Sequence, residues 1–571
     1  MNAPPWVKSY PPGVRFDAPL EVSSVQEVLE AAAVRNGDRP ALQFMDRRIT
    51  YAELNQLADR AAAGFQKLGV GPGVHVGMLL PNTPHYVIAF FGVLKAGGTV
   101  VNYSPLDAVP ALQFKVGDSE TDILVTVDLA ATYPQAETLL GTTRLKTLVI
   151  GDFAEFAAAP GAVRGVMSAQ GMLAEVRPDA RHVAFRDLLD TDGGYQKHAI
   201  ADLADAVAVL AYTGGTTGTP KGAMLTHANL TVACSLYHEV MTRDERSGLR
   251  EGEERFLCVL PLFHIYSLTV VMLLGFRMGA ELVVHPRFDP AAAARDIGLK
   301  RITVYLGVPT MHTAILALPD VAKMDFSSLR LCASGGAPLP VALKERWDAI
   351  VGCPITEGWG MTETSPIGTF TPRDAPPRSG SCGIPYPATL MKLVDVTDPA
   401  REVPLGERGE ICVKGPNVMK GYWKKPEATA AAMTPDGFFR TGDVATMDAD
   451  GYVYIVDRTK DMLLVGGFNV YPRTIEEAIY QHPSVEEVSV IGVPDAYKGE
   501  IPKAFVKLKA GAPPLTLDDL KAFLRDRLGK HEMIGALAIR DALPKTAVGK
   551  ISKKDLRDAE RGSGGSGTDS A

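Results

Sequence analysis

Residues Tyr212 to Gly222 read Y-T-G-G-T-T-G-T-P-K-G and directly follow the apolar segment Ala206-Val207-Ala208-Val209-Leu210. Gly214, Gly215 and Gly218 let the backbone turn tightly and bring N–H groups close to an anion. Thr213, Thr216, Thr217 and Thr219 add hydroxyl donors, and Lys221 adds positive charge. A strand running into such a loop predicts a phosphate cradle at a sheet end, and with it an α/β fold whose ligands gather where strands stop. Lys221 stands between Pro220 and Gly222, so the Gly-Lys-Ser/Thr ending of a Walker loop is missing and the ordinary P-loop reading fails.

Helix and strand signals alternate around this loop. Ser24-Val25-Gln26-Glu27 and Thr50-Tyr51-Ala52-Glu53 are capping boxes, each opening a segment with apolar residues at helical spacing. Val76 to Leu80, Thr99 to Val101, Asp122 to Val127, Thr147 to Ile150, Phe256 to Leu260, Leu282 to Val284, Ile302 to Leu306 and Leu329 to Cys332 read as strands at βα spacing, and Tyr86 to Lys95 as a helix. The alternation predicts parallel α/β sheets. After Pro385 the strands shorten into a β-rich region. From Arg458 a mixed unit of about one hundred residues follows, with helices at Thr474 to Gln481 and Leu517 to Arg527. The expected division is 1–457 and 458–560, with a Gly/Ser-rich tail over 561–571 that is too poor in apolar atoms to fold.

A chain of 571 residues exceeds one ordinary core, and its 46% hydrophobic and 22% charged residues exclude a wholly disordered protein. The net charge of −7 gives no basic footprint for nucleic acid. Six cysteines without a C-x-x-C pair suggest neither a zinc site nor a disulfide framework, and read as core thiols in a reducing compartment. No secretory signal opens the sequence. Its longest apolar stretch, Leu268 to Val284, carries Arg277 and Glu281 and is too polar to span a bilayer, so a soluble cytoplasmic protein is expected.

Other segments carry chemistry. In Glu357-Gly358-Trp359-Gly360-Met361-Thr362-Glu363-Thr364, an aromatic between glycines offers a flat face to a base, and a threonine followed by a carboxylate can address a phosphate and its metal. Ser334-Gly335-Gly336-Ala337 follows a strand, and its glycines permit close backbone approach. Asp443 in Thr441-Gly442-Asp443 can accept two bonds from a ribose diol, and Arg458 in Asp457-Arg458-Thr459-Lys460-Asp461 adds a donor. Lys550 lies on a Gly-containing turn, Lys545-Thr546-Ala547-Val548-Gly549-Lys550. His264, in Pro261-Leu262-Phe263-His264-Ile265-Tyr266, stands on an apolar segment.

These motifs together resemble the adenylate-forming superfamily of acyl-CoA synthetases, peptide-synthetase adenylation domains and beetle luciferases, from about Pro12 to Arg557. The segments Val456 to Arg473 and Gly415 to Trp423 are most similar to bacterial medium- and long-chain fatty-acyl-CoA synthetases, with pimeloyl-type dicarboxylate ligases and aryl-CoA ligases on the same framework. The resemblance implies a large N-terminal domain of two parallel-type α/β sheets plus a small β-barrel region, followed by a small mobile α+β C-terminal domain. It implies ATP, Mg²⁺ and CoA, with a carboxylic acid activated as acyl-AMP and passed to the CoA thiol. A homodimer and a peripheral membrane contact are compatible with it.

Residue by residue, the resemblance gives the 212–222 loop to the pyrophosphate end of ATP and Lys221 to a phosphate. Glu357, Gly358, Trp359 and Gly360 border the adenine, Thr362 meets the α-phosphate and Glu363 serves Mg²⁺. Gly335, Gly336 and Ala337 line the adenine and acyl group, Asp443 holds the ribose with Arg458 assisting, and Lys460 is the hinge. Lys550 bridges carboxylate and phosphate, its charge favouring the approach of two anions. His264 stands where the acyl and pantetheine channels meet. Phe263, Tyr266 and Val308 are acyl-pocket walls, and Gly466 and Gly467 border the pantetheine tunnel. Relatives carry Tyr or Phe in place of Trp359, so stacking is expected to survive and a hydroxyl contact to be lost. Leu464 replaces the second lysine of luciferases and disfavours light production. Three competitors remain open: an acyl-AMP ligase serving a carrier protein, a phosphoryl-transfer ATPase and a non-catalytic binder.

Overall fold

The computed structural model describes residues 3–213, 220–243, 248–373, 378–465, 468–495, 497–546 and 549–563. Gly214, Gly215, Thr216, Thr217 and Gly218 of the phosphate loop, and Gly466 and Gly467, lie outside the described residues.

Two large sheets form the body. The first runs in the order Gly421–Tyr422, Lys221–Thr226, Val207–Thr213, Thr99–Asn102, His75–Met78, Ile123–Val127, Thr147–Gly151, His182–Ala184. From Val207–Thr213 onward its pairs are parallel. The strand Ile123–Val127 is buried at every residue, as expected of a sheet covered on both faces. The second sheet runs Ile355–Glu357, Leu331–Ser334, Val304–Gly307, Arg255–Cys258, Glu281–Val284, Pro40–Phe44, Arg47–Thr50, parallel except for its last pair.

The capping boxes open helices where the sequence places them. Ser24 N–H donates to Glu27 Oε2 at 2.8 Å ahead of helix Val25–Asn36, and Thr50 Oγ1 accepts from Glu53 N–H at 3.1 Å ahead of Tyr51–Lys67. All six cysteines are buried.

The phosphate loop departs from a simple parallel scheme. Val207–Thr213 is followed by Lys221–Thr226, which returns antiparallel beside it with Thr213 opposite Lys221. The strands on both sides of the segment therefore belong to one sheet, and a strand stands between the segment and the next helix. Lys221 opens the returning strand, and helix His227–Arg243 follows directly.

The β-rich region is a four-stranded antiparallel sheet, Leu390–Val394, Gly409–Lys414, Phe439–Met447 and Val453–Arg458, beside the short pair Thr369–Phe370 and Ile384–Pro385. The last unit has its own apolar core, including Ile475, Ile479, Val490, Val506 and Leu520, distinct from that of the two large sheets. Helices Pro472–Tyr480 and Leu517–Leu524 pack in it, the latter ending three residues before the sequence reading placed its stop.

Candidate functional site

The ends of several strands converge on one cleft. The strand Leu331–Ser334 delivers Gly335 and Gly336, and the latter takes a φ of +77°, a conformation in which glycine is favoured. A Cβ on Gly336 would lie 2.9 Å from Lys550 Cε and 3.4 Å from its ammonium. The lysine of the small unit thus lies directly over the turn of the second sheet. Its own turn is anchored there, because Thr310 Oγ1 donates to the Gly549 carbonyl at 2.9 Å. Burial and the Arg458 guanidinium press the Lys550 ammonium down to about 8, with Asp443 opposing.

His264 faces the same charge. Its Nδ1 accepts from the Tyr266 N–H at 3.2 Å, which leaves Nε2 to carry the proton of the neutral ring. Burial and then the Lys550 cation push His264 down to about 3, so the imidazole is neutral across the physiological range and offers an N–H donor.

Trp359 and Asp443 meet as well. The indole Nε1–H donates to Asp443 Oδ2 at 2.7 Å, while Arg458 Nε holds Asp443 Oδ1 at 3.0 Å across the antiparallel pair that places them opposite each other. The expected loss of an aromatic-side polar contact is therefore met by the indole N–H, which supplies a donor of its own. Gly358 and Gly360 are small because backbone crosses them: a Cβ would lie 2.9 Å from the Thr369 carbonyl oxygen and 1.5 Å from that of Pro366. Glu357 ends the strand Ile355–Glu357, and its carboxyl is pushed up to about 7 by burial, with Arg473 opposing.

Thr362 opens the short 3-10 turn Thr362–Thr364. Glu363 next to it is buried, accepts from the Tyr422 hydroxyl at 2.9 Å, and is raised above the usual carboxylate range by burial. The Tyr422 ring also lies 5.0 Å from the Lys221 ammonium, so one tyrosine joins the lysine of the phosphate loop to this carboxylate. A Mg²⁺ ion accompanying a nucleotide takes one or two carboxylates, with phosphates and water completing its shell. A single buried carboxylate that gains by ionising beside a cation fits that demand, and among the described residues no cluster of three ligand side chains competes with it.

A small apolar cavity of ≈ 30 Å³ lies beside this cleft, lined by Tyr237, Met241, Leu249, Phe256, Tyr266, Val270, Leu274, Leu306, Leu331 and Ala333. Tyr266 joins it to the cleft, since its ring would lie 3.0 Å from a Cβ on Gly335. The other expected wall residues do not line this cavity. Val308 packs beneath the Lys550 turn, 3.4 Å from a Cβ on Gly549, and Phe263 packs against the main core without lining the cavity. Ala337 follows Gly336 at the mouth of the cleft, only partly covered.

Lys460 lies in a tight turn, where Asp461 N–H and Met462 N–H both return to the Arg458 carbonyl. On either side of it, Asp457 Oδ2 accepts the Arg473 N–H at 2.8 Å, covering the first turn of helix Pro472–Tyr480 from across the turn. Tyr237 and Met241 escaped the sequence reading, whereas Thr310 was expected only within the Gly307 to Thr310 acyl-pocket turn and Tyr422 only within the Gly415 to Trp423 segment, neither with the contact found here. Each acts through a residue far along the chain or on a helix without a motif.

The family model described as AMP-binding enzyme matches residues 29–423, and the AMP-binding enzyme C-terminal domain matches 474–550. A long-chain-fatty-acid–CoA ligase of Bacillus subtilis is 36% identical over 561 residues, covering 97% of this chain and 98% of its own length. The anthranilate CoA ligase AuaEII in complex with anthranoyl-AMP superposes with a TM-score of 0.83 at 28% identity, covering 96% of this chain and 99% of that one. The o-succinylbenzoate coenzyme A synthetase MenE of Bacillus subtilis, in complex with ATP and magnesium ion, gives 0.74 at 26%, covering 93% and 99%. Both segments that meet at Lys550 fall within matched regions, and the chain belongs to the AMP-binding enzyme family.

Proposed function

We propose that the protein is an AMP-forming acyl-CoA synthetase for a monocarboxylic acid of medium or long chain. The acid's carboxylate attacks the α-phosphorus of ATP and expels pyrophosphate. The CoA thiolate then attacks the acyl carbon of the acyl-adenylate and expels AMP. The observation that carries this reading is the Lys550 ammonium docked over Gly336 between His264 and Asp443, a cation where two anions must approach.

In the first step Lys550 draws the carboxylate toward the phosphate, and the neutral His264 offers Nε2–H to an oxygen of the acid. Asp443 and Arg458 hold the ribose, Thr362 the α-phosphate, and Lys221 with the 214–218 segment the β- and γ-phosphates. Glu363, oriented by Tyr422, would hold Mg²⁺, which supplies charge neutralisation at the phosphates. The second step needs Lys550 withdrawn and a narrow path for pantetheine past Gly466 and Gly467, with rotation at Lys460 between 1–457 and 458–560. The reaction belongs in the cytoplasm, where ATP and CoA are at hand; among the described residues no helix is long and apolar enough to cross a membrane.

The cavity supports the choice of acid. Among the described residues no charged side chain lines it, so a second carboxylate would lack a partner there, which disfavours a dicarboxylate. An aryl acid is the second reading, supported by the rings of Tyr237, Phe256 and Tyr266 in the lining. Acid-dependent exchange of labelled pyrophosphate into ATP tests adenylation, and absence of exchange across a panel of short, long, dicarboxylic and aryl acids would sink it. The acid that maximises kcat/KM in CoA ester formation decides between the two readings.

A further inference from the structure

The side chain of Trp359 is fixed from three directions. Its backbone N–H donates to Thr369 Oγ1 at 3.1 Å, and its carbonyl accepts from Thr369 N–H at 2.9 Å. Its six-membered ring packs against Gly368, where a Cβ would fall 2.3 Å from Cε3 and 2.4 Å from Cζ3, so only glycine admits the ring there. With the ring so held, its one polar atom is aimed at Asp443 Oδ2, 2.7 Å away. Asp443 is itself buried, and Arg458 occupies its other oxygen at 3.0 Å.

A carboxylate offers about four acceptor sites on two oxygens. One donor on each oxygen fixes the plane of the group and leaves one acceptor site on each oxygen for a further donor. That is the arrangement a vicinal diol meets with two hydroxyl donors. Without the indole N–H, Oδ2 would have no fixed partner among the described residues, and the carboxylate could turn about its Cβ–Cγ bond.

We propose that Trp359 is a positioning residue whose indole N–H presets the Asp443 carboxylate for the ribose diol, and thereby sets the preference for ribonucleoside over deoxyribonucleoside triphosphates. This rests on the reading of Asp443 as the ribose acceptor. A ring that only stacked on the base would serve ATP and its deoxy analogues alike.

The test is pyrophosphate exchange with ATP, 2′-deoxy-ATP and 3′-deoxy-ATP, in protein carrying β-(3-benzothienyl)alanine at position 359. That residue keeps the ring's shape and replaces N–H by sulfur. We expect KM for ATP to rise about tenfold with a smaller change in kcat, as for loss of a bond to a charged group. The deoxy nucleotides should change little, so selectivity for ATP falls about tenfold, and 7-azatryptophan, which keeps the N–H, should restore it. Trp359→Phe should follow the sulfur analogue if it folds. Equal losses for all three nucleotides, or none, would overturn the proposal. Asp443→Asn separates the two levels: if it leaves selectivity intact, the ribose reading fails and the proposal with it. If it abolishes selectivity while the sulfur analogue does not, only the role of Trp359 fails.

Discussion

Thr310 donates its hydroxyl to the carbonyl of Gly549 across 239 residues of sequence, and that bond ties the lysine turn of the small unit to the start of helix Pro309–Leu316 in the body. Its partner residue immediately precedes Lys550, so the bond sets how far the ammonium reaches into the cleft.

Thr310→Val keeps the shape and removes the donor. Loss of one neutral bond of this kind costs about 1 kcal/mol, so pyrophosphate exchange should fall roughly fivefold. Thioester formation from supplied acyl-adenylate should not fall, because that step is proposed to proceed with Lys550 withdrawn. Equal losses in both half-reactions would show that Thr310 serves folding rather than docking.

The depressed Lys550 predicts a specific pH profile. Protonated below about 8, the ammonium is lost as pH rises through that value in the free protein. The kcat/KM for adenylation should therefore be level below pH 8 and fall tenfold per unit above it. Lys550→Ala should depress adenylation at least a hundredfold at every pH, and Lys550→Arg should remove the alkaline limb, since a guanidinium does not titrate there. Exchange rates between pH 6 and 10 check all three.

Lys460→Pro fixes φ at the proposed hinge. Adenylation should be largely spared, and transfer to CoA should drop by more than tenfold. Single-turnover assays of each half-reaction separate the two, and a symmetrical loss would place the hinge elsewhere.

Buried histidines link stability to acid. His227 Nδ1 accepts the Val25 N–H at 3.0 Å, joining the helices Val25–Asn36 and His227–Arg243, and burial pushes it down to about 4. Between pH 6.5 and 4 the unfolded chain binds a proton here that the folded chain does not, so stability falls as pH falls through that window. From pH 7 to 5 this group should remove about 2 kcal/mol. Urea unfolding midpoints should drop accordingly, and His227→Gln, which keeps an acceptor that cannot titrate, should flatten the dependence.

The fold was readable where physics is local. Capping boxes at Ser24 and Thr50 and the apolar runs of the parallel strands declare themselves within a few residues. The return strand Lys221–Thr226 did not, because K-G-A-M-L-T continues a glycine-rich loop without a break in composition, and only pairing with Val207–Thr213 makes it a strand. At the site, glycines and charges in motifs were visible. Their supports were not: Trp359 and Asp443 are 84 residues apart, and Tyr422 and Glu363 are 59 apart. Such pairs leave no periodic mark.

The small unit folds around a core of its own and carries Lys550 into a cleft made by other strands. Turnover in the first step is thus a product of two quantities, the intrinsic rate once docked and the fraction of molecules in which docking has occurred. A substitution deep in that distant core, at Ile475 or Val490, can slow the chemistry without touching a substrate by thinning the docked population. A bound pair of anions would refill it, so such a defect should fade as acid and nucleotide approach saturation.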